Sequence, residues 1–111
     1  MSTTIDDFLK LEVHAGTILS AEPFPEARKP AIKLTIDFGP DIGSKRSSAQ
    51  ITDLYAPEEL PGRQVIAITN LPPRRIGPFV SEVLVLGLAD AEGRISLLRP
   101  DHPVPNGSRM H

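Results

Sequence analysis

Apolar and polar residues alternate most cleanly over residues 32–38, where Ile32, Leu34, Ile36 and Phe38 are separated by Lys33, Thr35 and Asp37. A strict period of two predicts a strand with one face in a core. A second β-like run spans residues 11–22 and puts Val13, Ala15, Thr17 and Leu19 on one face. Gly16 within it marks a bulge or a barrel corner. His14 falls on the face opposite Val13 and is expected at the surface. Residues 44–51 read as the returning strand of a hairpin turned at residues 39–43. Residues 64–70 and 82–88 read as two buried strands, with a last short strand near Leu97. Helical signals are confined to two places. Thr4 before Asp6 and Asp7 is an N-cap with acids in the first turn, predicting a short helix to about Lys10. Pro57-Glu58-Glu59-Leu60 predicts one helical turn. Residues 23–30 and 71–79 read as loops, and residues 100–111 as an irregular tail.

Five strands with a helical turn between the third and fourth predict an all-β protein, a five-stranded OB-fold barrel with a short N-terminal helix. A sandwich needs about seven strands, and a parallel α/β sheet needs long crossover helices that this pattern lacks. At 111 residues the chain fits a single domain, residues 1–111. Its apolar runs near residues 65–68 and 83–89 are too short to cross a bilayer, so no membrane insertion is expected. Met1-Ser2-Thr3-Thr4 has neither a basic nor an apolar export region, and the chain has no cysteine; both fit a cytoplasmic location.

Charge adds what periodicity lacks. The net charge is −2, which excludes a chain that binds polyanions over its whole surface. In an OB barrel, ligands meet strands 2 and 3 and the loops joining strands 1–2 and 4–5. Those regions, residues 23–50 and 71–81, hold Arg28, Lys29, Lys33, Lys45, Arg46, Arg74 and Arg75 against three acids, net +4. The remaining residues hold five basic and eleven acidic side chains, net −6. Positive charge is therefore concentrated where this fold binds, as for a phosphate backbone or an acidic segment of a partner. Phe24 and Phe79 lie in the two loops, either stacking on a ligand or folding back over the barrel mouth.

No catalytic constellation is visible. His14, His102 and His111 are too scattered for a metal site, and no P-loop, Gly-x-Ser-x-Gly elbow or dinucleotide motif occurs. Asp6-Asp7 and Glu58-Glu59 are explained by helix starts, and Ser47-Ser48 has no base assigned nearby. The chain is expected to be a binding module without cofactor or ATP site, not an enzyme.

Several segments together resemble the tRNA-binding-domain family, the OB-fold module also appended to some aminoacyl-tRNA synthetases. They are Asp7-Phe8 with residues 11–16, residues 21–30 continuing through 33–39, residues 47–52, Tyr55 with Pro57-Glu58-Glu59-Leu60, Asn70-Leu71-Pro72-Pro73, residues 81–87 and Pro103-Val104-Pro105-Asn106-Gly107. Within that family the likeness is to the chaperones of the CsaA type. Relative to the family's Ser-x-Gly-Met, Ser81-Glu82-Val83-Leu84 adds a negative charge and removes a glycine. The resemblance implies a homodimer built with the terminal segments, which would account for apolar Val104 and Met110 in the tail. It also implies ATP-independent binding of unfolded or precursor polypeptides for export, with tRNA as the alternative ligand. The expected peptide groove is lined by Phe24, Ile76 and Phe79 with Arg28 and Lys29 beside it. The RNA-facing set is Arg28, Lys29, Lys33, Lys45, Arg46, Ser48, Arg74, Arg75 and Ser81.

Overall fold

The computed structural model describes residues 1–111. Helix α1 (Ile5–Leu9) is capped as its sequence dictates: the Thr4 hydroxyl accepts the Asp7 N–H at 3.2 Å, and no residue of the helix is buried. Strand β1 (Val13–Pro23) follows and pairs antiparallel with β2 (Ile32–Asp37). Strand β2 buries Ile32, Leu34 and Ile36 and turns Lys33, Thr35 and Asp37 outward, as the alternation requires. The predicted turn at residues 39–43 is one helical turn, α2 (Gly39–Ile42), leading into β3 (Ser44–Ala49). A 3-10 turn at Pro57–Glu59 and strand β4 (Gln64–Ile68) complete the predicted sequence of elements.

Two segments depart from the reading. Residues 71–79 contribute a hairpin, β5 (Arg74–Ile76) and β6 (Phe79–Ser81), turned at Gly77 with φ +59°. Residues 82–88 are not one buried strand but β7 (Leu84–Val85) and the start of β8 (Gly87–Ala89), which pairs with β9 (Ile95–Leu97). Leu84 and Leu88 are 48% and 65% exposed. The break costs no backbone pairing, because Leu86 N–H still donates to Ile66 and Leu98 N–H to Leu86. The β8–β9 turn is fastened by Asp90, whose carboxyl is held below the usual carboxylate range, foremost by the Arg94 backbone N–H.

The main sheet runs β3-β2-β1-β4-β7 and curls until its edges meet. The closing seam joins β3 to residues 81–83. Glu82 N–H donates to the Arg46 carbonyl at 2.8 Å, Arg46 N–H to the Glu82 carboxylate at 3.0 Å, and buried Ser47 to the Val83 carbonyl at 2.9 Å. The result is a nearly closed five-stranded antiparallel OB-type barrel. Its core is Ile18, Ile32, Leu34, Ile36, Phe38, Leu60 and Val65 with smaller neighbours.

Strand β1 is phased differently from its apparent pattern. The face turned into the barrel carries Gly16 and Ile18, opposite core residues Val65 and Ile36. A register shift between Ile18 and Ser20 then leaves Leu19 52% exposed. Gly16 is not at that bulge. A Cβ on it would meet Ile36 Cγ2 at 2.7 Å and the Phe38 ring at 2.8 Å, so close packing is its reason.

The C-terminal residues are an ordered strap, not an irregular tail. Ala15 N–H donates to Ser108, Gly107 N–H to Ala15 and Met110 N–H to Val13, all at 2.8–2.9 Å. The strap buries His14, contrary to its expected surface position. Its Nδ1 lies 2.8 Å from the Gly107 carbonyl oxygen and its Nε2 3.1 Å from Glu12 Oε1. Arg109 binds the other Glu12 oxygen at 3.1 Å and the carbonyls of Leu9 and Leu11. The register of the strap rests on Gly107, whose φ is +93° and whose missing Cβ would lie 2.7 Å from the Phe38 carbonyl oxygen. Gly107→Ala is expected to lose about 1–3 kcal/mol of stability. Amide exchange at Ala15, Gly107 and Met110 should rise at least tenfold; unchanged protection there would refute the strap's dependence on this glycine.

Candidate ligand groove

The first loop, the β3 strand and the β5–β6 hairpin meet on one side of the barrel. Between them lies a groove of ≈ 440 Å³ lined by Arg28, Lys29, Ser48, Arg74, Arg75 and Ile76, among others. Five of the nine residues expected to face RNA, drawn from segments as far apart as residues 28 and 75, are thus brought together. Their guanidinium and ammonium groups are exposed and make no ion pairs within the chain. Glu26 is the one acidic side chain in the lining.

Neither phenylalanine lines this groove. Phe24 and Phe79 are each 3% exposed and pack on each other with ring centroids 5.3 Å apart, together with Ala31. This small second core holds the first loop to the hairpin. Cations close it from outside: Lys33 Nζ stands 5.4 Å from the Phe24 centroid, and the Arg46 guanidinium 4.2 Å from that of Phe79. The two rings, expected to line a peptide groove, pack on each other in the chain by itself. Two apolar rings beside prolines lose more by staying in water than they gain by waiting for a ligand. Ile76 remains half-buried at the groove.

Strand register separates the remaining cations. Lys33 pairs with Ser48 and Thr35 with Arg46, which puts Lys33, Arg46 and Ser48 on the outer face. Lys45 pairs with fully buried Ile36 and belongs to the opposite face, away from the groove. Ser81 sits at the seam, where its Oγ accepts the Ser48 N–H at 3.0 Å. Glu82, an added negative charge in sequence, accepts the Arg46 N–H there at 3.0 Å.

An apolar extension was missed by the sequence reading. A second depression shares Ser48, Arg74 and Ile76 with the groove and adds Leu71, Pro72, Val83 and Leu84, with Ser81 and Glu82 at its polar side. Leu71 is 39% exposed and Leu84 48%. The combined channel is basic at one end and aliphatic at the other. Leu84 is exposed because Val83 and Val85 take the core side of this segment and Leu84 the other.

A barrel of this topology with a basic groove on its β2–β3 side is a ligand-binding module, and comparison with known proteins gives its family. A profile described as "Putative tRNA binding domain" matches residues 13–109. The chain belongs to the tRNA-binding-domain family. It superposes on the chaperone CsaA from Bacillus anthracis with a TM-score of 0.93 and 49% identity, over 100% of both chains. The CsaA chaperone protein from Picrophilus torridus gives a TM-score of 0.92 and 45% identity, covering 99% of this chain and 100% of that one. Among curated sequences, methionine–tRNA ligase from Porphyromonas gingivalis is 40% identical over 105 residues, 95% of this chain. The chain spans only 15% of that ligase's length.

Proposed function

We propose that this chain is a homodimeric, ATP-independent cytoplasmic chaperone that holds unfolded or precursor polypeptides destined for export. The observation that carries this reading is the two-ended channel. Arg28, Lys29, Arg74 and Arg75 offer charge while Leu71, Ile76 and Leu84 offer aliphatic surface, which suits an extended segment of mixed character better than a uniform polyanion. The end-to-end likeness to CsaA chaperones supports it, whereas the ligase likeness covers one appended portion of a larger enzyme. The module acts without catalysis, by mass action on the unfolded state. A depression of ≈ 310 Å³ beside the strap, lined by Ala15, Ile66, Leu98, Val104 and Met110, supports the dimer. A second copy would cover Met110, which is 43% exposed in the single chain.

A second reading, a module for structured tRNA, is favoured by the exposed Arg28, Lys29, Arg74 and Arg75 in one groove and by Lys33 and Arg46 on the adjoining face. Parallel titrations of labelled tRNA and an unfolded precursor peptide at low and high salt separate the two. The chaperone reading expects saturable peptide binding that persists at high salt. Absence of such binding with the dimer intact, together with steeply salt-dependent tRNA binding, would replace it by the second.

A further inference from the structure

A second concave site lies away from the groove and shares no residue with it. It is a depression of ≈ 680 Å³ between the residues that enter β4 and the segment after β9, lined by Thr17, Arg63, Gln64, Arg99 and Asp101 with Gly62 and two prolines. Apart from the two proline rings, no aliphatic or aromatic side chain contributes to its lining, which favours a polar ligand. Two arginines face it and neither takes part in an ion pair.

Arg63 is the more informative of the two. Its guanidinium stacks on Tyr55, 5.1 Å from the ring centroid, and Tyr55 is fixed in turn by accepting the Leu97 N–H at 2.9 Å. Its Nε is buried without a hydrogen-bond partner, the one such side-chain atom in the structure, so an anion in the depression would meet the terminal N–H groups rather than Nε. A guanidinium held against a ring has already lost part of the entropy that binding would otherwise cost. The neighbouring polar side chains are also fixed. Gln64 Nε2 donates to the Val104 carbonyl at 2.8 Å, and Thr17 Oγ1 donates to Asn106 Oδ1 at 2.7 Å. Asp101 is 97% exposed at the rim and lies 3.4 Å from His102 Nε2, so it does not neutralise the arginines.

We propose that this depression binds a small phosphate-bearing anion between Arg63 and Arg99. A single carboxylate presents two oxygens, which two guanidinium forks would have to share. A phosphate group presents at least three acceptor oxygens and can serve two forks at once. A polar lining with two unpaired forks therefore selects phosphate over carboxylate.

The test follows backbone amides and the arginine Nε–H resonances by NMR while inorganic phosphate, AMP or citrate is added at constant ionic strength. Phosphate or AMP should give saturable shifts at Arg63 Nε–H and at the Gly62 and Gln64 amides. Arg99 is exposed but also lines the depression assigned to the second copy; in a variant shown to keep the wild-type oligomeric state, Arg99→Gln should weaken the response about tenfold or more. Arg63→Lys, which keeps the charge and removes the fork, should do the same. Replacing Arg74 and Arg75 by Ala should leave it intact. The proposal is overturned if sodium chloride reproduces the shifts, if citrate saturates them as tightly as phosphate, or if Arg99→Gln leaves them unchanged.

Discussion

Replacing Phe38 with Ala is expected to lower stability by about 3–5 kcal/mol, the largest loss available from a single core truncation here. For a chain of this size that is roughly 10–20 °C in thermal midpoint. Phe38 is fully buried and is the largest such side chain. Its ring fills the space that Gly16 leaves open on β1, while its backbone carbonyl sits against Gly107 of the strap. Loss of the ring therefore opens a cavity at the point where strand, helical turn and strap converge. The pairing with Gly16 sharpens the test. Gly16→Ala alone should cost about 1–3 kcal/mol by overpacking. Combined with Phe38→Leu it should cost less than the sum of the two single changes by at least about 0.5 kcal/mol. Strict additivity in thermal or urea unfolding would show that the two residues do not share that space.

Neutralising the basic end of the channel, with Arg28, Lys29, Arg74 and Arg75 all changed to Gln, should strongly weaken salt-dependent binding while leaving the fold intact. All four side chains are exposed, so stability should move by only a few tenths of a kcal/mol per site. For a tRNA ligand, each lost phosphate contact removes about 0.7–0.9 from the log–log salt slope, so the slope should fall by roughly three. For an unfolded peptide the loss should be smaller, and greatest for acidic segments. The aliphatic end gives the complementary result. Leu71→Ser with Leu84→Ser should weaken peptide binding roughly tenfold and leave tRNA binding unchanged. Identical losses for both ligands in both variants would contradict a two-ended channel.

The strict alternation of residues 32–38 and the Thr4 and Pro57 helix starts were legible because each depends on its own neighbours along the chain. The family could be read for a related reason: its motifs are contiguous segments. The site was legible in part. Charge partition singled out Arg28, Lys29, Arg74 and Arg75, which the fold brings to one groove, since loop charges have no core to enter. It misplaced Lys45, because a one-residue change of register moves a side chain to the other face. It also left Phe24 and Phe79 between two uses, which only their contact with each other resolved.

By itself, then, the sequence determined the class of barrel and the family, which follow from local periodicity and contiguous motifs. The tertiary structure alone decided that His14 is buried, that Gly16 serves packing, that the phenylalanines are sealed under Lys33 and Arg46, and that the last residues form a strap. Each of these depends on partners tens of residues away, such as Gly107 for His14, 93 positions along the chain. Burial between distant segments leaves no periodic trace in either one, so it appears only once the barrel has brought them together.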